Sequence, residues 1–386
     1  MNGKWLYPNR VLLANEVQSS DAATKIVKLP LSNYLHTLYV KVQCTNGATS
    51  AKDQDISDVV DLIEVVANGS DVLVSLTPQE IKRWSLWLTG CNIPQVRNER
   101  AGAVQEMVFP LFFGRSAYDP NFYLRCNALS DLELKITYSP TIAVTSFATG
   151  TTTIGVFACM TMGQAQPGDY FGTLTHKTLR AFTSAASGDE QVLIPRGNLL
   201  RQLMVYAYEV GVEPASNITN IKFDVNNDEQ VRANINWNDL NNINTFDNWI
   251  EHVENIAAFT DNGDTIGTDV ARIVHISSHL QAAFSDANDT FELSRITSIA
   301  GDQITVGQVA ADITAGAETL ANDATSRDHL ISVRGLGLSH AVVLDFAKSG
   351  ETGLLNTSEF DQVRLTLTNG NAGAAVRVST EEVRSI

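Results

Sequence analysis

The chain has 386 residues, 44% of them apolar and only 18% charged, a length that suits two domains and a composition that excludes a disordered chain. Its formal net charge of −16 is unevenly placed, with 19 acidic against 4 basic residues from Glu209 to Thr325 and 24 against 23 elsewhere. Such an acidic segment repels phosphate backbones, which argues against direct sequence-specific nucleic-acid binding and for a solvated outward face.

In chain order, residues 1–15 carry Lys4, Arg10 and no acid, with Trp5, Leu6, Tyr7, Val11, Leu12 and Leu13 as apolar positions. Two readings stay open: an arm that contacts a membrane surface or a neighbouring subunit, or a terminal strand tucked against the first domain. The opening lacks the continuous apolar region of a signal peptide, and no stretch approaches 18 consecutive apolar residues. Synthesis in the cytoplasm of the producing cell is expected, without a membrane span. Cys44, Cys91, Cys126 and Cys159 lie far apart with no C-x-x-C pair, which fits a reducing compartment and four small buried apolar residues.

The next segment is written twice. KLPLSNYLHTLYVKV at 28–42 aligns without a gap on LIPRGNLLRQLMVYA at 193–207, 165 residues on, sharing Pro30/Pro195, Asn33/Asn198, Leu35/Leu200, Leu38/Leu203 and Val40/Val205. Downstream, DLIEVVANGSDVLVSLTPQEI at 61–81 aligns on NIKFDVNNDEQVRANINWNDL at 220–240, now 159 residues on. Both copies predict two short strands around a polar turn, ANGSD or NNDE, then a helix. The helix would be capped by Thr77 or Asn236, with Glu80 or Asp239 at the capping-box distance. SDLELKIT at 130–137 faces DQVRLTLT at 361–368, both with the period-2 alternation of a strand with one buried face. Apolar strands precede this pair at 106–114 and 340–347, and one more strand follows at 151–160 and 374–383. The jump in spacing from 159 to 231 places an insertion in the second copy, about 247–328, overlapping the acidic segment.

The expected architecture is all-β: two fused antiparallel jelly-roll barrels with short flanking helices and a long loop insertion in the second. Strand count alone does not separate this from an immunoglobulin-type sandwich, and the single helix between the middle strands and the long loops favour the jelly roll. The expected layout is an N-terminal arm at 1–19, a first jelly roll at 20–162, a linker at 163–179 and a second jelly roll at 180–386.

Chemistry-bearing motifs are sparse. RGLGLSH at 334–340 has two of the glycines of a dinucleotide fingerprint but no third and no following helix, and reads as a turn before a strand. His275 and His279 stand four apart without a third ligand nearby. Asp261, Asp264 and Asp269 surround two glycines in DNGDTIGTD, a calcium-like set at the wrong spacing that reads as a solvated turn. Trp84 and Trp87, three apart on the first helix, read as core packing rather than a sugar platform. No catalytic, cofactor-binding or metal-ligating residue is therefore assigned, and no cofactor is expected.

The paired openings (LPLSNYLHTLYV and IPRGNLLRQLMV), the paired hairpin–helix units and the endings LSDLELKITYSP and FDQVRLTLTNG make a pattern that resembles the double jelly-roll major capsid proteins of tailless icosahedral viruses, the group with tectivirus-like phages and adenovirus hexons. The resemblance runs from about residue 20 to the end. It implies a non-enzymatic structural protein of a virion capsid, with bacteriophages among the sources. Two barrels would stand side by side perpendicular to the shell, and three chains would form a pseudo-hexameric homotrimer that tiles an icosahedral lattice. It further implies contacts with neighbouring trimers, penton and minor capsid proteins, outer loops forming towers, and contact of the N-terminal arm with an internal membrane. The rival class is a secreted tandem jelly-roll glycan-active enzyme or carbohydrate-binding protein.

Overall fold

The computed structural model describes residues 7–18, 20, 22–47, 55–139, 147–162, 169–260, 265–270, 273–280, 290–300, 303–314, 317–322, 327–347 and 354–386. The first half contains β1 (Tyr7–Val17), β2 (Ala23–Lys28), β3 (Tyr34–Thr45), β4 (Val60–Ala67), β5 (Asp71–Leu76), α1 (Pro78–Thr89), β6 (Gln95–Asn98), β7 (Val104–Phe112), β8 (Leu124–Arg125), β9 (Leu132–Tyr138) and β10 (Thr153–Met162). The second contains β11 (Thr173–Thr183), β12 (Gly188–Leu193), β13 (Leu199–Tyr208), α2 (Pro214–Asn217), β14 (Ile218–Val225), β15 (Gln230–Asn236), α3 (Trp237–Asn248), β16 (Glu251–Thr260), β17 (Thr265–Gly267), β18 (Ile273–Leu280), β19 (Thr290–Ala300), β20 (Gln303–Thr314), β21 (Ala317–Asn322), β22 (Arg327–Leu336), β23 (Ala341–Asp345), β24 (Leu355–Asn356), β25 (Val363–Asn369) and β26 (Ala375–Arg384). No helix among the described residues is long and apolar enough to cross a membrane.

Each half folds as two facing sheets. In the first, β2-β9-β4-β5 opposes β1-β10-β3-β7-β6; in the second, β12-β25-β14-β15 opposes β11-β26-β13-β23. Alternation decides which side chains fill the space between them. Leu38, Val40 and Val42 of β3 and Leu134 and Ile136 of β9 point into the first core. Leu203, Val205, Leu365 and Leu367 do the same in the second. The expected double jelly roll is thus the fold. The strand Tyr7–Val17 pairs along its length with β10, which decides between the two readings of the N-terminal stretch in favour of a strand.

The duplication extends to irregularities that no residue identity reveals. An extra residue bulges out of β3 at His36 and out of β13 at Arg201, 165 apart. Likewise Leu13 bulges from β1 and Leu179 from β11, and Leu73 from β5 and Arg232 from β15. A bulge re-aims the strand and increases its twist, so repeating it at the same place reproduces the curvature of the barrel. The hairpin turns repeat as well. Asn68 and Gly69 at one, and Asn226, Asn227 and Asp228 at the other, have positive φ, the backbone that lets a tight turn follow the strand twist.

The two barrels are joined by continuous sheets. β5 of the first pairs in parallel with β11 of the second, Val74 opposite His176. β6 pairs in parallel with β16, Arg97 opposite Ile256, and β16 continues through β22 to β18. The segment between α3 and β23 also builds a separate four-stranded sheet from β17, β19, β20 and β21.

Candidate functional site at the seam between the barrels

The seam is built around α1. Thr77 caps the helix: its hydroxyl accepts from the Glu80 N–H, while Glu80 Oε2 accepts from the Thr77 N–H at 3.0 Å, completing the expected capping box. Glu80 is fully buried and also accepts from the Thr178 hydroxyl of β11 at 2.8 Å, so one carboxylate caps the helix and ties it to the second barrel. Burial pushes its carboxyl up, opposed by these hydrogen bonds. Trp84 donates from Nε1 to Ser379 Oγ of β26 at 3.0 Å and stands edge-on to His176, whose Nε2 lies 2.9 Å from the buried Glu381 carboxylate. The Arg83 guanidinium lies 5.4 Å from the centre of the Tyr206 ring and donates from Nε to the Ser339 carbonyl at 3.0 Å. Trp84 and Trp87 are therefore core residues, as their spacing indicates, and the core they fill is the joint between barrels.

A buried charge network continues the seam toward the insertion. Lys82 Nζ bridges Asp55 Oδ2, at 3.0 Å, and Asp269. Arg83 Nη2 reaches Asp269 Oδ1 at 3.3 Å. Arg97 of β6 binds Glu254 of β16 and Glu99, each at 2.6 Å, and Glu254 accepts from the Asp269 N–H at 2.9 Å. Burial pushes the Asp269 carboxyl up, but Lys82 and Arg83 outweigh it and hold it well below the usual carboxylate range. His252 and His340 are pushed down to about 3 by burial and are neutral bases inside this network.

Asp55, Glu254 and Asp269 bring carboxylate oxygens within 4.8 Å of one another, a grouping that could hold a metal ion. The Lys82 ammonium already bridges two of the three, so the cation that neutralises this cluster is a side chain. Beside it a cleft of about 440 Å³ is lined by Asp55, Asp58, Asp269, Tyr206, Tyr208 and Arg377 among others.

The structure disperses the other candidate residues. Asp269 is not in a solvated turn but is partly buried among ion pairs; Asp261 and Asp264 lie outside the described residues. His275 and His279 fall on β18, opposite Arg334 and Leu330 of β22, and His275 is exposed. RGLGLSH is a turn: β22 ends at Leu336, Gly337, Ser339 and His340 have positive φ, and β23 begins at Ala341. Cys44, Cys126 and Cys159 are buried, whereas Cys91 is exposed, because it follows the left-handed Gly90 that ends α1 and the chain turns outward there. Sequence reasoning missed Asp55, Lys82, Arg97 and Glu254. Their only sequence signal was that Lys82 and Arg83 stand next to each other on a helix otherwise filled by buried residues.

No family model matches the chain, and no curated protein is similar to it in sequence. Solved structures are similar to it in fold over nearly its whole length. The MCP of STIV, Sulfolobus turreted icosahedral virus, aligns with a TM-score of 0.56 at 11% identity, covering 98% of this chain and 97% of that one. The major capsid protein P2 of bacteriophage PM2 aligns at 0.52 and 10% identity, covering 98% of each. A chain of the PBCV-1 virus capsid aligns at 0.56 and 10% identity, covering 97% and 93%. At these identities the likeness is one of fold, and the fold of this chain is the double jelly roll of viral major capsid proteins.

Proposed function

We propose that this chain is a major capsid protein: a non-catalytic structural subunit of a virion shell, acting as a pseudo-hexameric homotrimer that tiles an icosahedral lattice. The observation that carries the reading is the end-to-end match, across nearly all of this chain and of each neighbour, of two fused barrels joined by shared sheets. Two similar barrels per chain give a threefold ring six similar flanks, which suits sixfold-like lattice positions. In this reading the insertion at about 247–328, apart from its seam residues such as Glu254 and Asp269, forms an outward tower, where its remaining acidity limits non-specific association. Neighbouring trimers, penton and minor capsid proteins are the proposed partners, and any membrane contact is assigned to residues 1–6, since Tyr7–Val17 is engaged with β10. Ion-pairing of Asp55 and Asp269 to Lys82 supports the non-catalytic assignment.

Size-exclusion chromatography with light scattering tests the reading. Particles of three times the 42.0 kDa chain, or larger shells, are expected. A monodisperse monomer at all concentrations overturns it.

A further inference from the structure

α1 and α3 are equivalent helices 159 residues apart, yet they have opposite fates. Trp84 and Trp87 of α1 are 3% and 6% exposed, while their counterparts on α3, Ile243 and Phe246, are 43% and 83% exposed. Trp249, just past α3, adds a third bare apolar side chain at the same spacing. Two exposed apolar residues three apart on the helix, continued by an exposed tryptophan just beyond its end, mark a surface that a partner covers.

The chain itself shows what covers such a face. α1 lies on the outward face of the sheet β11-β26-β13, over the lateral row Thr178, Ser379 and Met204, which pair side by side across the three strands. The same row in the first barrel is Leu12, Phe157 and Tyr39, paired side by side across β1, β10 and β3. The matching bulges at Leu13 and Leu179, and at His36 and Arg201, fix this correspondence. Leu12 is 56% exposed, Phe157 and Tyr39 are half-buried, and the row is apolar where its covered counterpart is Thr–Ser–Met. A single chain thus carries an exposed apolar helix face at one flank and, at the other, an apolar sheet row exposed at Leu12 and half-buried at Phe157 and Tyr39.

We propose that Ile243, Phe246 and Trp249 dock on the Leu12–Phe157–Tyr39 face of the first barrel of a second copy, in the orientation in which α1 docks on β11-β26-β13 within the chain. Such a contact is heterologous, and repeated head to tail it forms a ring when the rotation between copies closes, as the homotrimeric reading requires. The joint between copies has no counterpart of the buried charge network, because Asn241 and Asn242 stand where α1 has Lys82 and Arg83. It is a dry apolar contact that folded chains can form on meeting. The inference deepens the homotrimeric reading and rests on it for the number of copies.

The test mixes two chains in a Cys91→Ser background, in which the native cysteines that remain are buried, one carrying Ile243→Cys and the other Phe157→Cys, the counterparts of the Trp84–Ser379 contact. A short bismaleimide should link residue 243 to residue 157 in the mixture, identified by peptide mass spectrometry, and link neither variant to itself. Phe246→Asp should in parallel convert the assembly to a folded monomer with an unchanged circular dichroism spectrum. A trimer that persists in Phe246→Asp, or that forms in the mixture without the 243–157 link, overturns this surface and leaves the oligomeric reading standing. A parent chain that is monomeric throughout overturns both.

Discussion

α1 and α3 begin from one plan and end in different environments, and the contrast separates what a helix owes to its own barrel from what it owes to its neighbour. Each is 12 residues long, is preceded by a side-chain cap, and packs against its own barrel. α3 does so through Trp237, Leu240, Asn241 and Asn244, the last exchanging two hydrogen bonds with the Val343 backbone. α1 is buried on both sides, because a second barrel lies over it and brings Thr178, Ser379, Tyr206 and the Asp269 loop into contact. The common half of the design is local; the different half is inter-barrel.

The largest effects should fall on the covered helix. Lys82→Met leaves Asp55 buried without its cation and Asp269 with Arg83 alone, and should cost about 3–5 kcal/mol in urea unfolding, the range for a buried pair broken on one side. Trp84→Ala should cost a similar ~3–5 kcal/mol, from the cavity and the lost Ser379 bond. Ile243→Ala, at the equivalent exposed site, should stay within about 0.5 kcal/mol in the dissociated chain. Equal costs for Trp84→Ala and Ile243→Ala would break the comparison.

Acid should act on the seam next. His252 and His340 are neutral in the folded chain, held down to about 3 by burial, and titrate near 6.5 when unfolded. Between those values the unfolded state binds more protons, so stability should fall with falling pH by about 1.4 kcal/mol per unit for each histidine. Asp269, whose carboxyl is held low, adds to the loss only below about pH 4. Melting curves from pH 7 to 4.5 test this, and His252→Asn should reduce the slope.

Smaller effects sharpen the local half of the comparison. Thr77→Ala and Asn236→Ala each remove an N-cap and should cost about 1 kcal/mol, with Thr77 the costlier because its partner Glu80 is buried in the seam. Native-state thiol labelling should modify one cysteine rapidly, Cys91 beyond the end of α1. Burial encloses Cys44 and Cys126 and pushes their thiols up to about 11 and about 12.

The sequence by itself determined the aligned strand pairs, their duplication and both helix caps, because alternation, turn residues and capping side chains act within a few residues of chain. By contrast, the start of β11 falls in the expected linker 163–179, and the expected loop insertion carries strands. Spacing and composition, which are directly countable, also led to the expectation of an acidic insertion at about 247–328. The equivalence of Tyr7–Val17 to Thr173–Thr183 was not legible, because YPNRVLLANEV and TLTHKTLRAFT share a bulge and a pairing partner rather than residues. Only the tertiary structure joined β5 to β11 and β6 to β16, brought Asp269 to a lysine 187 residues away, and left one of two matching helices bare. Those outcomes depend on which surfaces meet across barrels, and no local pattern encodes a meeting between residues so far apart.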